Sequence, residues 1–163
     1  MKEITITSTF TLYSSKTELP KDVLHLMEQA EAARANSYSP YSRFKVGAAL
    51  LLDNGEIVKG SNQENASYPA GLCAERTAVF YAGANYPDAR MVKLCITVKS
   101  SDYTVDRPAA PCGVCRQVLA EYEVKQETPL EIYLMGETGQ VLKADRIRDL
   151  LPFVFDKNYL KNL

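Results

Sequence analysis

The spacing of apolar positions changes along the chain, and those changes predict its elements. Residues 3–13 are rich in Thr, Ile and Phe and alternate loosely, which suits an extended segment, an edge strand. Pro20 then opens a helix, since its fixed φ suits the first helical position. Val23, Leu24, Met27, Ala30 and Ala33 recur on one face of that helix, and Asn36 is placed to cap its end. Residues 37–43 form a loop, with Pro40 turning Ser39 away from helical backbone. Residues 46–52 are almost continuously apolar and predict a buried central strand. Asp53-Asn54-Gly55 signals a hairpin, and residues 56–61 return as the partner strand.

The second half repeats strand and helix more regularly. Residues 62–72 are polar and form a loop, after which Cys73 starts an Ala-rich helix running to about Ala84. Residues 91–98 read as a parallel strand reached by that helical crossover. A loop over 100–111 leads to a helix from Cys112 to about Tyr122, with Val114, Val118 and Leu119 turned to the sheet. Residues 130–135 and 140–142 predict two more strands around Glu137-Thr138-Gly139. A short helix over 145–151 stops at Pro152, and another follows at 156–162. Strands alternating with helices predict an α/β chain, a mixed sheet covered on both sides as a three-layer α/β/α sandwich. With no repeat or linker, residues 1–163 are expected to form one domain.

Composition narrows the function classes. A net charge of -1 offers no surface built for nucleic-acid phosphates, so no nucleic-acid partner is expected. No apolar run reaches the length of a membrane span, and residues 1–5 carry no apolar leader. The expectation is a cytoplasmic protein without a membrane partner. Cysteines stay reduced there, so the four in this chain read as metal-binding or catalytic rather than as two disulfides.

The candidate chemistry gathers in Cys73-Ala74-Glu75-Arg76 and Pro111-Cys112-Gly113-Val114-Cys115. Cys112 and Cys115, three apart at a helix start, share one face, and Cys73 can add a third thiolate from another element. Three protein ligands leave one tetrahedral position open, the pattern of a catalytic zinc rather than a structural one. Both motifs begin helices, whose N-terminal N–H groups and partial positive charge stabilise thiolates. Three thiolates and one Zn²⁺ sum to about -1, which by itself weakens acidification of a bound water. Arg76 is the nearest side chain able to offset that charge through hydrogen bonds to the sulfurs. Glu75, two residues past the first ligand, is placed to move the water's proton. Cys95, inside the strand at 91–98, reads as a small buried hydrophobe. His25, the sole histidine, reads as an ordinary helix residue, since no second ligand type lies beside it.

These motifs resemble the cytidine deaminase family, specifically its small homotetrameric branch with three cysteine ligands. The resemblance runs from about Tyr38 to Phe155. It includes Tyr41-Ser42-Arg43-Phe44 with Val46-Gly47-Ala48-Ala49-Leu50, the loop Asn62-Gln63-Glu64-Asn65-Ala66-Ser67-Tyr68, both cysteine motifs, and Leu150-Leu151-Pro152-Phe153-Val154-Phe155. It implies one zinc per chain on Cys73, Cys112 and Cys115, Glu75 as proton shuttle, and free pyrimidine nucleosides as partners. The implied reaction is hydrolysis of cytidine and 2'-deoxycytidine to the uridines and ammonia, a step of pyrimidine salvage. Asn62 and Glu64 would hold the ribose 3'-hydroxyl. The Ala74 N–H would bind the base O2, and the Ala110 carbonyl the leaving amine. Phe44, Ala66 and Tyr68 would belong to the nucleoside pocket, and Phe155 would reach in from a neighbouring subunit of a homotetramer with shared active sites. Residues 1–18 are additional to the minimal family core.

Four other readings explain less. A blasticidin-type deaminase would share the metal motif, but the loop at 62–68 favours a free nucleoside. A polynucleotide deaminase would call for a histidine ligand and a basic groove. A redox dithiol at Cys112 and Cys115, or a noncatalytic binding module, leaves Glu75 without a role.

Overall fold

The computed structural model describes residues 1–160. Its frame is a six-stranded mixed sheet built from β1 (Phe10–Tyr13), β2 (Phe44–Leu52), β3 (Ile57–Ser61), β4 (Met91–Ser100), β5 (Glu131–Met135) and β6 (Val141–Ala144). Three helices cover it: α1 (Lys21–Arg34), α2 (Ala74–Asn85) and α3 (Gly113–Gln126). The strand order is β1-β6-β5-β4-β2-β3. β4 pairs parallel with β5, and the other neighbours run antiparallel. The crossover through α2 does join two parallel strands, β3 and β4, but β2 lies between them.

Alternation along each strand divides the core into two layers. Ala48, Leu50, Leu94, Ile96, Ile132 and Leu134 point to the α2–α3 side. Ala49, Cys95, Tyr133 and Met135 point to α1, where they meet Val23, Leu26, Met27 and Ala30. β2 and β4 are covered on both faces, which is why they read as apolar runs rather than alternating ones. The three-layer expectation therefore holds, and so does Cys95 as a fully buried hydrophobe. Arg34 fastens α1 to β4, donating from Nη1 to Thr97 Oγ1 at 2.9 Å and to the Val98 carbonyl at 2.8 Å.

Several local expectations shift. Only the last four residues of the extended segment 3–13 join the sheet. The inward face of α1 also takes in Leu26, which 100° per residue brings between Ala30 and Ala33, while Leu24 packs half-buried at the rim of that face. Ala35, not Asn36, is the α1 C-cap. His25 is exposed. Val114 points outward, 58% exposed, while Cys115, Leu119 and Ala120 are the buried side of α3. The strand expected at 140–142 continues to Ala144. The short helices near the C-terminus are single 3-10 turns, Ile147–Asp149 and Lys157–Tyr159, and residues 161–162 of the second lie outside the described residues.

Gly60 decides how closely α2 approaches the sheet. A Cβ there would run into the Ala74 carbonyl and stand 2.7 Å from the Ala78 amide. With hydrogen in its place, the first turn of α2 rests directly on β3. That turn carries one half of the site.

Candidate metal and nucleoside site

Two helix starts converge at one point. Cys73 is the N-cap residue of α2, and Cys112 is the N-cap residue of α3. Cys115 sits in the first turn of α3, and its N–H donates to Cys112 Sγ at 3.5 Å. The sulfurs of Cys73 and Cys112 are 3.9 Å apart, and all three lie within 4.8 Å of one another. Zinc–sulfur bonds of about 2.3 Å at tetrahedral angles place sulfurs about 3.8 Å apart, so this donor set fits one zinc ion. Two of the three sulfurs are contributed by helix starts separated by 39 residues of chain.

The electrostatics favour thiolate at Cys73. The Cys115 S–H beside it, and next the Arg76 guanidinium, bring the Cys73 thiol down to about 5 against the opposing effect of burial. Its partner Cys115 is pushed up, by the bond to Cys73 and by burial. Arg76 Nη2 donates to Cys73 Sγ at 3.7 Å and to the Gly71 carbonyl at 3.5 Å. Arg76 Nε is the one buried side-chain N or O among the described residues that lacks a partner, so this cation faces the sulfurs with donor capacity to spare. Glu75, 5% exposed, has its carboxyl pushed up, first by burial and then by the negative charge at Cys73.

A cavity of about 720 Å³ opens over this cluster. Cys73, Cys112, Glu75 and Arg76 line it together with Phe44, Asn62, Glu64, Tyr68 and Ala110. Ala74 is fully buried at the start of α2. Ala66 is exposed on the loop and is not part of the lining. Phe155 is likewise outside its own chain's cavity. It is 58% exposed, stacks on Tyr159 at 5.5 Å, and has its carbonyl held by Gln117 Nε2 at 2.7 Å.

The two polar residues of the loop carry further duties that the sequence did not disclose. Asn62 Oδ1 accepts from Ser37 Oγ at 2.5 Å and from the Val46 N–H at 2.8 Å, while its Nδ2 donates to the Phe44 carbonyl at 2.9 Å. Asn62 thus fixes the start of β2, and with it Phe44. Glu64 Oε2 accepts from the N–H groups of Tyr41 at 2.9 Å and Ser42 at 3.2 Å, and Oε1 accepts from Ser42 Oγ. Burial opposes ionisation of Glu64, but these donors outweigh it and hold the carboxyl below its ordinary range. Tyr41 and Ser42 line the cavity too, and sequence reasoning gave neither a role. The hint was their place in Tyr41-Ser42-Arg43-Phe44, a stretch that resembles the family.

Comparison with known proteins agrees with this geometry. Residues 20–128 match the family described as the cytidine and deoxycytidylate deaminase zinc-binding region. The chain belongs to this family of zinc-dependent deaminases. It is 42% identical over 130 residues to a cytidine deaminase of Halalkalibacterium halodurans, covering 80% of this chain and 91% of that one. A cytidine deaminase of Mycobacterium tuberculosis is 45% identical over 134 residues, covering 80% and 86%. The crystal structure of cytidine deaminase from Burkholderia pseudomallei superposes with a TM-score of 0.70 at 39% identity, covering 84% of this chain and all of that one. This family member is therefore a zinc hydrolase, with the Cys73–Cys112–Cys115 cluster suited to one zinc per chain. Among the described residues no helix is long and apolar enough to cross a membrane.

Proposed function

We propose that this protein hydrolyses cytidine and 2'-deoxycytidine to uridine and 2'-deoxyuridine, releasing ammonia, as a cytoplasmic step of pyrimidine salvage. The observation that carries the reading is Glu75. It is a buried carboxyl with raised proton affinity, lining one cavity with Cys73 and Cys112 of the thiol cluster and with Asn62 and Glu64. A carboxyl tuned upward towards neutrality suits a group that must both take and give a proton.

A zinc ion held by Cys73, Cys112 and Cys115 would supply Lewis-acid activation of the attacking water. Glu75 accepts one proton of the attacking water, delivers it to N3 of the base, and then carries the proton of the new C4 hydroxyl to the departing amine, so that C4 keeps a carbonyl oxygen and ammonia leaves. The Ala74 N–H, the first of α2, holds the base O2, and the Ala110 carbonyl accepts from the amine. Phe44 packs on the base and Tyr68 lies nearby. Asn62 and Glu64 bind the 3'-hydroxyl, using the Asn62 N–H not given to Phe44 and a free lone pair on Glu64. Recognition at the 3' position tolerates loss of the 2'-hydroxyl, so both nucleosides qualify.

Phe155 supports a shared active site. Its ring lies outside its own cavity and is exposed, while Gln117 holds its backbone carbonyl, as expected of a side chain that stacks on a base in a neighbouring subunit of a homotetramer. The test is ultraviolet absorbance on mixing the purified protein with each nucleoside, with metal analysis of the same sample. Conversion of both, at about one zinc per chain, is expected. Zinc-loaded protein that converts neither nucleoside overturns the reading.

A further inference from the structure

The N-terminal segment belongs to neither the family match, which begins at residue 20, nor the catalytic cavity. Its strand β1 is the last in the sheet and pairs on one side only, with β6. Phe10 lies opposite Ala144, the final residue of β6, so residues before Phe10 run past the end of the partner strand. Register also assigns faces. Phe10 and Leu12 oppose Ala144 and Leu142, which belong to the α2–α3 side. Continuing the alternation puts Ile6 and Ile4 on that same side and Thr5, Thr7, Thr9 and Thr11 on the other. All four apolar side chains are exposed: Ile4 by 78%, Ile6 by 49%, Phe10 by 39% and Leu12 by 53%.

Natural sheet edges are protected by charge, proline or a bulge. This one has none of these, since residues 4–15 contain no charged residue and no proline. Instead the stretch is self-complementary about Ser8. When two copies run antiparallel with Ser8 opposite Ser8, Ile6 faces Phe10, Ile4 faces Leu12, Thr7 faces Thr9 and Thr5 faces Thr11. Every apolar residue meets an apolar one and every threonine a threonine, the cross-strand pairs that stabilise sheets. A register one residue away would set threonines directly opposite isoleucines.

We infer that residues 2–14 form an exchange arm for a second copy of this chain, which pairs antiparallel across a two-fold axis at Ser8 and joins two sheets through their β1 edges. Each arm supplies residues 3–6 to the free edge of the other's β1. Pairing over residues 4–12 makes roughly eight to ten inter-strand hydrogen bonds. The contact is isologous and closes on itself as a two-fold pair, covering the free edge of β1 in both copies. It is independent of the proposed tetramer and of catalysis, because the arm reaches no residue of the cavity.

Cross-linking of the zinc-loaded, full-length protein tests the register. Opposed residues bring their Cβ atoms within about 4.5–5.5 Å, whereas residues displaced by two positions stand about 7–8 Å apart, beyond disulfide reach. Ser8→Cys is expected to give a covalent dimer on mild oxidation. Thr7→Cys or Thr9→Cys alone should stay monomeric on a denaturing gel, while a mixture of the two should cross-link. Adding Ile6→Lys to Ser8→Cys should abolish the dimer, with zinc content and deamination unchanged. Wild-type protein sets the background from the native cysteines. The inference is overturned if Ser8→Cys gives no dimer above that background, or if all three single variants cross-link alike.

Discussion

Arg76 Nη2 stands 3.7 Å from Cys73 Sγ, one helical turn beyond it on the same face of α2. The contact ties a permanent cation to the one thiol of the cluster that is driven down, to about 5, with Cys115 as the larger cause and Arg76 as the smaller. In zinc-stripped protein the Cys73 thiolate is therefore populated above roughly pH 5 and lost below it. Iodoacetamide at pH 7 is expected to modify Cys73 far ahead of Cys95 and Cys115, whose thiols are held protonated and buried. Replacing Cys115 with alanine should slow that modification more than Arg76→Ala does. Peptide mass spectrometry after timed alkylation reads both comparisons, and the opposite order would remove Cys115 as the dominant partner.

Glu75 offers a sharper separation of metal binding from turnover. Its carboxyl lies beside the sulfurs, but the three-sulfur set is complete without it. Glu75→Ala should keep its zinc and lose about 10²–10⁴-fold in kcat, the usual worth of a positioned acid–base group. Loss of zinc along with activity would place Glu75 among the ligands instead.

Gly60 should be intolerant of any side chain. The Ala74 carbonyl and Ala78 amide occupy the space of a Cβ, and both are backbone atoms that cannot swing aside. Gly60→Ala is expected to cost about 1–3 kcal/mol, an overpacking penalty. It should also lower zinc occupancy, since moving α2 off β3 moves Cys73 away from Cys112. Thermal melting and metal analysis of the same preparation check the two effects. A stable variant with full zinc would show that α2 is free to shift.

Glu123 joins three elements at the far end of α3. Its Oε2 accepts from the Leu130 N–H at 3.0 Å, just before β5, and from the Ile147 N–H at 2.9 Å, at the start of the last turn before the C-terminal segment. Leu130 and Ile147 are both buried, so removing the carboxylate strands two amides. Glu123→Ala is expected to destabilise by about 2–4 kcal/mol, and Glu123→Gln, which retains an acceptor oxygen, by less. Urea unfolding of the three proteins gives the ranking, and equal stability of all three would remove the bonds from the account.

Local chemistry carried much of this protein in its sequence. Helix starts at Cys73 and Cys112, the hairpin at Asp53-Asn54-Gly55 and the apolar runs of β2 and β4 depend on neighbours a few residues away, and all appear where the pattern predicts them. The metal motif was legible for the same reason, because a Cys-x-x-Cys pair on a first turn needs only helical geometry to face one way. Burial beyond the local pattern was not legible. Leu26 joins the buried face of α1 and Val114 turns outward because burial follows what packs against a helix, and that is settled by sheet order. The extended pattern at 3–13 becomes a strand only at Phe10–Tyr13, where β6 supplies hydrogen-bonding partners. Asn62 and Glu64 could be named as ligand residues, yet their grip on Ser37, Phe44, Val46, Tyr41 and Ser42 spans 16 to 25 residues of chain. Only the folded sheet brings those groups within hydrogen-bond reach, as only the landing of α2 and α3 side by side turns three separate cysteines into one metal cluster.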